Sequence, residues 1–148
     1  MENRTRVLVV GLGSIGQRHA RLLSERSDVE LMICDAVDEY RAQAKSTFAA
    51  IPVAEHSDYV AALGDKPDIV FLCVPNHLHV PMGLQAIENG VDVFVGKPIS
   101  DSLEAAQRLV DAATSAGRFL QVGYMLRLDD GLRKLKKIVD EGDVGNLL

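Results

Sequence analysis

An apolar run from Arg6 to Val10 ends directly on Gly11-Leu12-Gly13-Ser14-Ile15-Gly16, after which Ile15, His19, Ala20, Leu22 and Leu23 recur at helical spacing. No other feature constrains the fold as strongly. Strand, tight turn and helix follow one another without room for a loop, and Val29 to Cys34 then returns the chain as a second strand. The glycines have separable duties in such a unit. Gly11 permits the turn, Gly13 lets the backbone approach a pyrophosphate, and Gly16 lets the helix pack against the strand. Ser14 and Ile15 open the helix, where free amides and the positive end of the helix dipole face phosphate oxygens. In a chain with 12 glycines the pattern alone is weak, and its place between strand and helix is what gives it weight.

Asp35 closes the second strand, about 20 residues beyond the last glycine, where a carboxylate accepts hydrogen bonds from the adenosine ribose hydroxyls. Its charge repels a 2'-phosphate, which favours NAD over NADP, with Arg41 as a nearby cation that softens the preference and keeps NADP as the alternative. The plainer alternative is that Asp35 only starts a turn with Ala36. A methyltransferase-like fold uses a similar first loop and acidic residue, so the later motifs must separate the two.

The rest of the chain alternates in the same way. A polar helix over Val37 to Thr47 leads to a short third strand at Ile51-Pro52-Val53, with Pro52 suited to an edge. Ser57-Asp58 caps a helix over Tyr59 to Leu63, and Ile69 to Val74 is an unbroken apolar strand of the kind buried on both faces. Pro81 opens a helix that stops at Asn89-Gly90, and Val91 to Val95 is the next strand. Asp101 or Ser102 caps a helix to Ala116-Gly117, and Phe119 to Val122 closes the series. The expectation is an α/β fold, a doubly wound parallel sheet in the order 3-2-1-4-5-6. A C-terminal helical extension follows, its apolar side made by Leu132, Leu135, Ile138 and Val139, with Asp143 to Leu148 starting something further.

At 148 residues with 47% apolar side chains, one complete domain with a short appendage is the expected organisation, divided as 1–123 and 124–148. The formal charge of -5, with basic residues clustered only at Arg133, Lys134, Lys136 and Lys137, argues against nucleic acid as a partner. No apolar stretch approaches the ~20 residues of a membrane span, and Met1 to Arg4 resembles no signal peptide, so a soluble, cytoplasmic protein is expected. Cys34 and Cys73 read as buried thiols, with no second ligand at metal spacing.

Two strand exits carry candidate chemistry. Cys73-Val74-Pro75-Asn76-His77-Leu78-His79 follows the fourth strand, at the carboxyl edge where open parallel sheets bind ligands. Asn76 has an amide for a ribose or carboxamide, and a histidine here can reach a cofactor, although capping the next helix is the plain alternative. Lys97 follows Val93 to Gly96 and precedes Pro98, so its ammonium group can point into the cleft or stand free as a surface lysine.

Together these phrases resemble the Gfo/Idh/MocA oxidoreductases, named for glucose-fructose oxidoreductase, inositol dehydrogenase and a rhizopine-catabolism protein. Gly11 to His19 is similar to the family's cofactor loop, Pro75 to His79 to its fourth-strand motif, Gly96-Lys97-Pro98 to its Glu-Lys-Pro motif, and Val122-Gly123-Tyr124 with Arg127 to its sixth-strand exit. The resemblance implies NAD(P)-dependent hydride transfer to or from a sugar, cyclitol or related polyol. It makes Lys97 the catalytic candidate and Gly11, Gly13, Ser14, Ile15, Gly16, Asp35, Val74, Pro75, Asn76, His79, Gly96, Lys97 and Pro98 the cofactor-binding candidates. Gly96 departs from the usual glutamate, and Leu128-Asp129-Asp130 replaces a commoner aromatic, histidine and proline. The family's substrate domain has no counterpart in these residues. A half-enzyme, expected to be a homo-oligomer and inactive alone, therefore stands beside a second reading, a non-catalytic dinucleotide-binding or sensing module acting through self-association or a protein partner.

Overall fold

The computed structural model describes residues 4–145. Six parallel strands form one sheet: β1 (Thr5–Val10), β2 (Val29–Cys34), β3 (Ala54–His56), β4 (Ile69–Leu72), β5 (Asp92–Val95) and β6 (Leu120–Val122). Their spatial order is β3-β2-β1-β4-β5-β6, the doubly wound order expected. The register sets Val10 beside both Cys34 and Leu72, Leu72 beside Val95, and Val95 beside Val122, so the carboxyl ends lie level along one edge. The strand order reverses between β1 and β4, which remain parallel, and this opens a crevice at that edge.

Successive strand residues face opposite sides, and both sides are covered. Leu8, Val10, Met32, Val70, Leu72, Val93 and Val95 pack on one face with Leu109 and Ala113, while Val9, Leu31 and Ile33 pack on the other with Leu12, Ala20, Ala44 and Phe48. The helices responsible are α1 (Ser14–Ser24), α2 (Asp38–Thr47), α3 (Tyr59–Gly64), α4 (Asn76–Glu88) and α5 (Leu103–Ala116). Each fully buried aliphatic side chain contributes roughly 1.5–3 kcal/mol. Asp58 caps α3 by accepting from the Ala61 amide, Ser102 caps α5 from Ala105, and Gly117 ends α5 in the left-handed conformation.

Three local expectations are corrected. The third strand lies at Ala54–His56 rather than at Ile51 to Val53, because Pro52 has no amide for the ladder. Ile51 and Val53 pack against the core before pairing begins with Ala54 beside Met32. The helix expected to open at Pro81 begins at Asn76 and carries Pro81 inside it. The amide that Pro81 lacks would have met the carbonyl of His77, an exposed residue of the first turn, so the helix survives the loss. Finally, β4 ends at Leu72, two residues short of Val74, and frees Cys73 and Val74 to line the crevice.

The extension forms a 3-10 turn (Met125–Leu128) and α6 (Asp130–Asp140), which Asp129 caps by accepting from the Leu132 amide. Leu132, Leu135 and Ile138 remain exposed on α6. Of the segment read as starting something further, Asn146 to Leu148 lies outside the described residues.

Candidate functional site

The loop between β1 and α1 is compact because its glycines leave no room for side chains. A Cβ at Gly11, whose φ is +84°, would lie 2.5 Å from the Cys73 carbonyl oxygen, and one at Gly16 would lie 1.7 Å from that of Gly11. Gly13 differs, since its Cβ would meet nothing within 4 Å and its backbone is ordinary extended chain. Neither strain nor packing demands glycine there. The free space lies before the first turn of α1, which no side chain caps, so the helix's first amides are open to an anion.

Asp35 closes this cradle. Its Oδ2 accepts from the Leu12 amide at 2.6 Å and its Oδ1 from the Val37 amide at 2.8 Å, which fixes the carboxylate and leaves further lone pairs for ribose hydroxyls. Arg41 donates from Nη1 to the Asp35 main-chain oxygen at 2.6 Å and from Nε to Glu55 at 3.2 Å, and also pairs with Asp38. The hydrogen bond to Asp38, burial and Glu55 act on this guanidinium, with a net upward shift in its pKa. Lys45 and then Arg41 hold the Glu55 carboxyl below its usual value. The cation expected to soften the preference for NAD is thus already held by two carboxylates.

Two depressions flank the loop. The first, about 480 Å³, is bounded by Gly11, Gly13, Asp35, Val74 and Pro75. The second, about 240 Å³, is lined by Ile15, Val74, Asn76, His79, Gly96 and Lys97. They meet at Cys73 and Val74, across the β1/β4 crevice. Ser14 opens α1, Gly16 lies under the loop, and the Pro98 carbonyl is 2.9 Å from Nδ1 of His79. Lys97 is exposed and has no salt-bridge partner among the described residues. Arg127 is exposed on the 3-10 turn and borders neither depression.

Several lining residues were not among the cofactor-binding or catalytic candidates, although His19 and Gly123 stand within the cofactor-loop and sixth-strand motifs. Tyr40, Ser57 and Tyr59 border the larger depression, while His19, Phe94, Gly123 and Met125 border the smaller. Phe71 and Phe94 are register partners and stack with centroids 4.5 Å apart, and His19 meets Phe94 edge-on at 5.3 Å. The sequence signals were slight: Phe94 sits near a strand exit and His19 one helical turn past the loop. Burial, with a smaller contribution from Arg18, pushes the His19 imidazole below 6.5. Burial pushes the Cys73 thiol up to about 12, which keeps it protonated and unreactive at neutral pH.

Residues 5–124 match the oxidoreductase family with an NAD-binding Rossmann fold, Gfo/Idh/MocA. The chain belongs to this family. Among Gfo/Idh/MocA proteins, an inositol 2-dehydrogenase of Salmonella paratyphi B is 35% identical over 144 residues, covering 95% of the chain and 43% of the relative. The myo-inositol 2-dehydrogenase structure from Lactobacillus plantarum superposes with a TM-score of 0.87 at 29% identity, covering 98% of this chain and 43% of that one. The scyllo-inositol dehydrogenase from Lactobacillus casei, solved with NAD(H) and scyllo-inositol, gives 0.85 at 26%, covering 97% and 43%. The chain thus spans less than half the length of these relatives. Among the described residues no helix is long and apolar enough to cross a membrane.

Proposed function

We propose that residues 1–123 bind NAD and form the cofactor half of a dehydrogenase acting on a cyclitol or related polyol, with 124–148 leading towards a substrate domain. The observation that carries this reading is the open cradle at Gly13, set between Asp35 and the cleft that holds Asn76 and Lys97. In it, Gly13, Ser14 and Ile15 offer main-chain amides to the diphosphate, Gly11 makes the turn while its own amide donates to the Cys34 carbonyl at 2.9 Å, and Gly16 keeps the helix close. Asp35 takes the adenosine ribose, and Val74, Pro75, Asn76 and Gly96 border the nicotinamide end. Pro98 and His79 support that end from below.

NAD, when bound, supplies the hydride acceptor for oxidation of a carbinol carbon. Lys97 holds the reacting hydroxyl and, entering the step as the free amine, takes up the proton it releases to become the ammonium, which charge balance requires when hydride departs. Asn76 orients a ribose or the carboxamide by hydrogen bonding, and Ile15, Phe94 and Met125 give the cleft an apolar wall for the nicotinamide ring. The relatives' inositol substrates support the choice of a cyclitol. A cytoplasmic location and self-association belong to the same proposal, supported by two free cysteines and by the exposed apolar residues of α6.

Titration of the chain with NADH, followed by nicotinamide fluorescence, tests the binding step, and saturable binding is expected. Oxidation assays with NAD and a panel of inositols and sugars, run on this chain and on any longer natural form of it, test turnover. Saturable NADH binding without turnover in a longer form favours a sensing module instead, the reading to which the exposed apolar side of α6 lends support.

A further inference from the structure

His79 stands at the join of the two strand exits that carry the proposed site. It closes the first turn of α4 and is 1% exposed, the one buried polar side chain in the described core. One ring nitrogen, Nε2, is 3.0 Å from the Val74 carbonyl oxygen, and the other, Nδ1, is 2.9 Å from that of Pro98. Val74 leads into Asn76, and Pro98 follows Lys97. The main-chain ladder between β4 and β5 reaches its end at the Gly96 amide, which donates to the Leu72 carbonyl at 3.3 Å. Past that point, the imidazole spans the two chains as a side-chain rung.

We propose that His79 is a positioning residue: its ring sets the separation of the Asn76 and Lys97 exits and so the shape of the nicotinamide end of the cleft, without presenting a free nitrogen to the cofactor. The reasons are geometric. Among the described residues the buried ring is what each carbonyl meets at hydrogen-bond distance, and a polar atom set against a buried side chain that offers no donor is costly. Both partners only accept, so a hydrogen on the ring answers the carbonyl it faces, and a ring without nitrogens has none to offer. Gly96 roofs the ring, its Cβ position lying 3.4 Å from Cε1 and 3.5 Å from Nε2, which places the rung directly beneath the cleft floor. Loss of the rung therefore loosens the two exits relative to each other and leaves the distant Gly13 cradle and Asp35 as they are.

This inference rests on NAD binding, and its test separates the two. Binding of NADH and of ADP-ribose, which shares the adenosine diphosphate half and lacks nicotinamide, is measured by calorimetry for the wild type, His79→Phe and His79→Ala. The phenyl ring fills the space without nitrogens. Both variants are expected to bind NADH about ten-fold more weakly while ADP-ribose affinity stays within about two-fold. Added imidazole is expected to restore NADH affinity in His79→Ala and not in His79→Phe. Equal losses for both ligands, or no loss for NADH, overturn the positioning role. A wild-type chain that binds neither ligand overturns the NAD reading itself, and the positioning role with it.

Discussion

Gly13 and Gly16 occupy the same loop for different reasons, and substitution separates them. At Gly16 a Cβ would collide with the Gly11 carbonyl, whereas at Gly13 it would enter open space. Gly13→Ala is therefore expected to keep the wild-type melting temperature within about 2 °C and to lose at least about ten-fold in NADH affinity. Gly16→Ala should lower the melting temperature itself, which a thermal scan of the two variants resolves. Asp35 and the caged Arg41 give a second test at this scale. NADPH is expected to bind about ten-fold or more weakly than NADH, and Asp35→Ser to narrow the ratio by removing the repelling charge. His19 gives a third. Its unfolded form takes up a proton near 6.5 and its folded form at lower pH, so between those values the unfolded state binds more protons. The stability it contributes is complete above 6.5 and lost as pH falls through the folded value. His19→Phe should accordingly lose less melting temperature than the wild type between pH 7 and pH 5, and equal slopes would refute the assignment.

At the scale of elements, α4 and α5 close one face of the sheet through a notch and a knob. Leu109 of α5 is fully buried and seats against Gly83 of α4, where a Cβ would come within 2.9 Å of its Cδ1. Leu109→Ala is expected to cost roughly 2–5 kcal/mol in urea unfolding, since the surrounding helices cannot collapse fully into the space. The elements also show what local reading can and cannot see. Apolar runs and caps announced β1, β2, α3 and α5, whereas β3 and α4 were misplaced at their starts. In both cases a proline was read by its usual local meaning. Pro52 stands ahead of the ladder, and Pro81 sits within a helix that begins at Asn76, because pairing with β2 and packing beneath α5 decide those boundaries.

For the whole molecule, the sheet places two depressions on either side of one crevice and leaves an apolar row on α6 uncovered. Burying such a row is worth roughly 25 cal/mol per Å². Light scattering after size exclusion is expected to show concentration-dependent association, weakened by Leu135→Glu and Ile138→Glu. A monomer at every concentration would remove self-association from the proposed function.

The glycine loop, the acidic end of β2 and the alternation of strands and helices were legible in the residues alone, because each is a local pattern or needs a backbone only glycine permits, and the sheet order then followed from the right-handedness of crossovers. The exits carrying Asn76 and Lys97 were legible as well, as ends of apolar runs. Their proximity, the His79 rung between them, the capture of Arg41 by Glu55 and the wall of Phe71, Phe94 and His19 were decided only in the tertiary structure. Those contacts join residues distant in sequence, and they follow from strand register and side-chain direction, which no local spacing specifies.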